Sequence, residues 1–160
     1  RIAICGRIDR IDVGTHGARC VFGVIDYKSG AAPALDPRSV LRGLALQLPL
    51  YLMAAEEVLL ADRCAAAIEA GYWMPAGSGY KSRVLVAARA TAEGLQPEPA
   101  WADLRPRLAG VVARLVRGMR RGEFPVSSAD DECTGRCALA TVCRIQQVRW
   151  LEKTWQPADA

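Results

Sequence analysis

An α/β domain, with a central mixed β-sheet flanked by helices, is the fold class the sequence predicts, and three observations predict it. The chain has 160 residues, 51% hydrophobic and 24% charged, the size and balance of one domain able to bury an ordinary core. Two β-branched, apolar runs near the start are joined by a glycine-bearing turn. Runs with helical spacing of apolar residues follow, alternating with a second pair of strand-like runs.

Residues 2–13 and 19–28 read as an antiparallel hairpin, with Gly14, Thr15, His16 and Gly17 in its turn. Asp36 and Pro37 offer an N-cap and a first-turn proline to a helix over 39–60. Pro49 predicts a kink or restart there, because an interior proline loses a backbone bond and clashes with the carbonyl four residues back. A second helical stretch is expected to end near Gly71. Tyr72, Trp73 and Met74 then read as a short buried strand, paired with 82–88 across a turn of Gly77, Ser78 and Gly79, which makes about four strands in all. Residues 95–99 read as a proline-rich connector. Leu104, Leu108, Val111, Val112, Leu115 and Met119 recur at helical spacing with arginines between them, so one face packs and the other is basic. A loop is expected over 122–132.

Composition excludes several classes. The 14 Gly and 9 Pro fall without period among abundant aliphatic residues, against a collagenous or wholly disordered chain. No run approaches the ~20 apolar residues of a spanning helix, so no membrane partner is expected. The chain opens on Arg1 with no leader-like segment, and is read as a piece of a longer polypeptide truncated at its N-terminus. Among 21 basic residues only Lys28, Lys81 and Lys153 are lysines. That arginine bias suits an anionic partner, and a GC-rich genome gives it equally. Residues 101–125 hold six arginines against Asp103 and Glu123, so the excess charge is clustered; a solvated helix face and a DNA contact are equal readings of it.

Chemistry enters with Asp9, Asp26 and Lys28. Strand side chains alternate with period two, so Asp26 and Lys28 share a face while Tyr27 points to the other. The hairpin brings Asp9 toward Asp26, and two carboxylates meeting in a partly buried site repel unless a cation joins them. Hard oxygen ligands of that kind suit Mg²⁺ or Mn²⁺. A metal so held lowers the pKa of a bound water and neutralises charge on a phosphate, while Lys28 orients the water or stabilises the transition state. The bland alternative is a cross-strand ion pair of little energetic consequence. Asp12 has the opposite parity from Asp9 and is expected to be exposed or paired with an arginine.

The ordered set Gly6-Arg7-Ile8-Asp9, Asp26-Tyr27-Lys28 and Gln47-Leu48-Pro49-Leu50-Tyr51 resembles the PD-(D/E)XK nucleases, specifically their RecB/AddB-like branch. The resemblance covers essentially all of residues 1–160 and implies a single nuclease domain with a restriction-endonuclease-like core. It implies metal ligation by Asp9, Asp26 and the Tyr27 carbonyl, and catalytic roles for Asp9, Asp26, Lys28, Gln47 and Tyr51. Gln47 and Tyr51, four apart on a helix, share a face and so could both reach the site. The implied activity is Mg²⁺- or Mn²⁺-dependent hydrolysis of DNA, single-stranded or at duplex ends. The implied setting is cytoplasmic break repair and recombination, with a separate or fused helicase as partner. A non-catalytic DNA-binding scaffold of the same fold and a stand-alone nuclease of the CRISPR-adaptation type are the alternatives.

Cys133, Cys137 and Cys143 crowd into eleven residues, a metal-ligand pattern more than a disulfide framework. The same resemblance implies a C-terminal iron–sulfur segment at 130–145, its three cysteines ligating a structural 4Fe-4S cluster in the intact protein; zinc and free thiols are the alternatives. The spacing departs from the branch's usual C-x2-C-x5-C, and the upstream fourth cysteine is absent from residues 1–160. Cys5, Cys20 and Cys64 read as packing residues, and His16 as a turn residue. Trp101, Trp150 and Trp155 read as gap fillers with base stacking as the alternative.

Overall fold

The computed structural model describes residues 2–30, 35–75, 79–124 and 133–146, with the backbone alone over 79–84 and at 136. The expected turn residues Gly77 and Ser78, most of the 122–132 loop, and Trp150 and Trp155 lie outside the described residues. The chain divides into two units, Arg1–Val112 and Ala113–Ala160.

The first unit is built on a four-stranded sheet in the order β1-β2-β3-β4: β1 Arg10–His16, β2 Arg19–Tyr27, β3 Ala66–Met74 and β4 Gly79–Val86. β1 and β2 form the expected antiparallel hairpin, with Arg10 opposite Ile25 and His16 opposite Arg19. The first strand is shorter than the sequence suggests, since residues 2–8 take no regular structure. The turn is tighter too: Gly17 sits at φ +60°, a left-handed conformation that glycine adopts without steric cost. His16 therefore closes β1 instead of occupying the turn, and its Nε2 lies 3.1 Å from the Thr91 carbonyl oxygen.

β2 pairs in parallel with β3, and β3 in antiparallel with β4, so the sheet is mixed. Residues 66–71 are strand where the sequence predicts helix. Alanine favours helix, but β3 is the inner strand between β2 and β4. Ala66, Ala67, Ala70, Gly71 and Tyr72 of this strand are buried, on faces that leave little room for larger side chains; tertiary packing overrides the propensity. The fourth strand also begins earlier than the expected residue 82. The expected connector over 95–99 is half strand: β5 Ala88–Thr91 and β6 Gly94–Pro97 form a separate hairpin.

The helix expected over 39–60 is broken upstream of its proline. α1 spans Pro37–Leu41 and α2 Gln47–Ala54, and Gly43 between them has φ +83°. Pro49 falls in the first turn of α2, where its missing N–H would have no intrahelical partner, so it starts the helix without kinking it. α2 runs on into a π-turn, Ala55–Leu59, and a 3₁₀ turn, Ala61–Arg63. α3 Pro99–Leu104 and α4 Leu108–Arg120 replace one long helix, with Arg105–Arg107 between them as a 3₁₀ turn around Pro106. A short α5, Cys133–Arg136, belongs to the second unit.

Phe22 and Val24 of β2, Ala67, Ala70 and Tyr72 of β3, Leu48 and Leu52 of α2, Val40 of α1, and Trp101 and Leu104 of α3 form one core. Trp101 thus fills space, as expected. Cys20 packs against that core, whereas Cys5 and Cys64 are exposed, which corrects their reading as packing residues. Among the described residues no helix is long and apolar enough to cross a membrane.

Asp36 caps α1 as expected: its carboxylate accepts from the Ser39 backbone N–H at 3.0 Å and from the Ser39 hydroxyl. Those two bonds, the hydroxyl's first, hold the Asp36 carboxyl below its ordinary value. A depressed folded-state pKa stabilises above the unfolded pKa, and the stabilisation disappears as pH falls through the folded one. The stability gap between wild type and Asp36→Ala is therefore expected to close on acidification from about pH 5 to about pH 2, as read by urea denaturation. A gap that stays constant would remove the charged cap from the account.

Candidate active site

The site forms where β2 ends. Asp26, one residue before that end, is 2% exposed and is the one buried charged side chain among the described residues. Its partners come from two elements. Gln47, the first residue of α2, donates from Nε2 to Asp26 Oδ1 at 2.7 Å and accepts on Oε1 from Lys28 Nζ at 2.9 Å. Lys28 Nζ also lies 2.7 Å from Asp26 Oδ2, at an angle outside hydrogen-bond geometry, so that this buried oxygen has an ionic neighbour and no hydrogen-bond donor.

The short contact with Asp26 raises the Lys28 pKa, against a smaller opposing effect of burial, and Asp9 adds in the same direction. Lys28 is therefore a firm ammonium at neutral pH, suited to orienting water or balancing negative charge and unsuited to taking a proton. Its backbone is fixed as well, the N–H donating to the Trp73 carbonyl at 2.9 Å.

Asp9 lies one step beyond the Arg10–Ile25 pair, in register with Asp26. Its Oδ2 accepts from the Tyr27 backbone N–H at 3.0 Å, which turns the carboxylate toward the end of β2. Tyr51, one helical turn after Gln47, receives a long bond of 3.4 Å from Gln47 Nε2 on its hydroxyl. All five side chains expected to be catalytic thus come together. Asp12 does not join them: it forms an exposed two-bond pair with Arg10, at 2.7 and 2.9 Å, as its parity predicts.

Two further contributors were not read from the sequence. Tyr72 on β3 stands opposite Asp26 in the parallel register, and its ring centroid is 5.5 Å from Lys28 Nζ. Burial raises its pKa, so it is a neutral phenol. Gly6 is the other: a Cβ there would lie 3.3 Å from Tyr51 Cε1 and 3.7 Å from its hydroxyl. Gly6→Val is expected to push the Tyr51 ring off Gln47 and lower activity severalfold with thermal stability nearly unchanged; full activity would show that Tyr51 tolerates displacement. The signal for Gly6 lay inside the Gly6–Asp9 motif. The signal for Tyr72 was its parity with Ala70, hidden by the helical reading of that segment.

Mg²⁺ fits this site. It keeps several waters and is held by one or two carboxylates; Asp26 Oδ2 has no hydrogen-bond donor to displace, and Asp9 is adjacent. Among the described residues no group of three or more His, Cys, Asp or Glu side chains could hold a metal, so the remaining ligands would be carbonyl and water oxygens. A 4Fe-4S cluster does not fit in the same sense. Cys133 is half-buried, Cys137 and Cys143 are exposed, and the three thiols do not converge on one point. Their segment is nonetheless folded, Gln146 Nε2 donating to Thr134 Oγ1 at 3.0 Å, and Cys137 Sγ accepts from the Leu139 N–H at 3.4 Å.

A mixed sheet whose second strand presents Asp26 and Lys28 on one face, with Asp9 across the hairpin, defines a class of protein. The chain belongs to the PD-(D/E)XK nuclease superfamily, whose model matches residues 1–144, and its α/β fold is the restriction-endonuclease-like one. Within that class it is similar to the AddB component of the ATP-dependent helicase/deoxyribonuclease of Moorella thermoacetica, 54% identical over 55 residues, or 34% of this chain. It is similar also to the components of the same name from Lachnoclostridium phytofermentans, 44% identical over 54 residues (34% of this chain), and Lysinibacillus sphaericus, 40% identical over 70 residues (44% of this chain). The matched segment spans 5% of the length of each relative.

Proposed function

We propose that residues 1–160 are a nuclease domain that hydrolyses DNA phosphodiester bonds with Mg²⁺ or Mn²⁺, as part of a helicase-nuclease acting on broken DNA ends in the cytoplasm. The observation that carries this is Asp26, a buried carboxylate with one oxygen free of hydrogen-bond donors, tied through Gln47 to a lysine that stays charged. Such an arrangement is costly unless a cation completes it, and intact Asp9 and Lys28 argue against a scaffold that has lost its chemistry.

Asp9, Asp26 and the Tyr27 carbonyl would hold the metal, which when bound supplies an acidified water and neutralises phosphate charge. Lys28 orients the attacking water and balances charge developing on the phosphate. Gln47 keeps Lys28 and Asp26 at fixed separation by bonding both, and Tyr51 limits where the Gln47 amide can turn. The helicase partner and the repair role are supported by the relatives' names. Residues 130–145 belong to the same proposal as a structural iron–sulfur segment, supported by its thiol chemistry; no catalytic step involves it.

The test is cleavage of labelled single-stranded DNA by the full-length protein, purified without oxygen. Cutting with Mg²⁺ that stops in EDTA and returns with added Mg²⁺ is expected. A folded protein that binds DNA and cuts under neither condition would move the reading to a DNA-binding scaffold.

A further inference from the structure

We propose that Tyr72 is a positioning residue for Lys28, its ring face confining the ammonium to the one side on which Asp26 and Gln47 hold it. The inference rests on the reading of Lys28 as a catalytic group. Lysine is a flexible four-carbon stem carrying a compact charge, and its usefulness at a phosphate depends on where that charge stays. Two oxygens bind Lys28 Nζ, Asp26 Oδ2 at 2.7 Å and Gln47 Oε1 at 2.9 Å, and the Tyr72 ring centroid lies 5.5 Å away. The ring cannot drift, since Tyr72 is 2% exposed within the core and set by backbone pairing opposite Asp26. Lys28 is anchored to the residue beside it, Trp73, through its own N–H. The ring and the ammonium are thus fixed by one strand pair.

An aromatic face attracts a cation through its quadrupole, more strongly where water is excluded. A leucine in place of Tyr72 would fill much of the volume and lack that attraction, so Nζ would sample positions away from Asp26 and Gln47. Nothing in this needs the hydroxyl, and phenylalanine should serve as well.

The experiment measures kcat, KM for single-stranded DNA, and Mn²⁺ affinity by calorimetry in the full-length protein, with Tyr72→Phe, Tyr72→Leu and Lys28→Ala side by side. Tyr72→Phe should match wild type. Tyr72→Leu should lose roughly tenfold in kcat with KM and Mn²⁺ affinity unchanged. Should Tyr72→Leu fail to fold, mono-, di- and pentafluorinated phenylalanines in place of Tyr72 keep the shape and weaken the quadrupole stepwise; kcat should fall in that order while the melting temperature does not follow it. A flat fluorination series, a folded Tyr72→Leu with full kcat, or a Tyr72→Phe as impaired as Tyr72→Leu would each overturn the proposal. A Lys28→Ala variant with normal cutting would instead overturn the underlying reading of Lys28.

Discussion

Asp26→Ala is expected to lower DNA cleavage by about 10³-fold or more, because the variant loses the one buried carboxylate of the site and with it the firmest ligand for the metal. A metal contributes several kcal/mol to the transition state of a phosphoryl transfer, and each ~1.4 kcal/mol is a factor of ten in rate. Mn²⁺ binding measured by calorimetry should weaken in parallel. The fold should survive. Breaking a fully buried ion pair costs about 3–5 kcal/mol, but the Lys28 side chain is 28% exposed and can hydrate once its partner is gone. The loss should therefore lie nearer the about 1–3 kcal/mol of a single unsatisfied buried group.

Asp26→Asn sharpens the test. The amide keeps the carboxylate's shape and can still accept from Gln47 Nε2, yet presents either a neutral oxygen or an N–H toward Lys28. It should fold about as well as wild type and cut as poorly as Asp26→Ala. A folded Asp26→Ala protein that cuts at close to the wild-type rate would remove Asp26 from the chemistry and the metal from this site.

Much of this site was legible because strand parity is a strong local rule. Asp26 and Lys28 had to share a face once β2 was a strand, and Asp9 had to approach Asp26 once the hairpin register was set. The four-residue spacing of Gln47 and Tyr51 worked the same way on α2. What stayed hidden depended on partners distant in sequence. Residues 66–71 are rich in alanine, and only their enclosure between β2 and β4 makes them strand; with β3 misread, Tyr72 could not be set opposite Asp26. The β5–β6 hairpin was missed because four-residue strands carry too little periodicity to register. Pro49 was read correctly as a breaker and misplaced by several residues, since Gly43 had already ended the preceding helix. The cysteine segment shows the opposite case. Its composition is conspicuous in sequence, while its folded form leaves the thiols apart.

Lys28→Ala is the complementary experiment, and its expected outcome is a protein that binds metal nearly as well as wild type and hardly cuts. Lys28 donates to Gln47 and neighbours Asp26, but it is no ligand; removing its charge frees Asp26 Oδ2 from a competing cation and should, if anything, tighten Mn²⁺ binding slightly. The loss falls on the step at which negative charge builds on the phosphate, where one well-placed donor is worth about 10²–10³ in kcat. KM for DNA should change little, because the interaction develops in the transition state more than in the bound substrate. Lys28→Arg distinguishes charge from placement. The guanidinium keeps the charge, but its planar fork demands two acceptors in one plane, whereas Asp26 and Gln47 present theirs from a strand and a helix. Arginine should therefore recover only a small part of the activity. Near-normal cutting by Lys28→Ala would leave the Asp9–Asp26 pair to act alone, and the lysine would stand as a counter-ion that keeps a buried carboxylate tolerable before metal arrives.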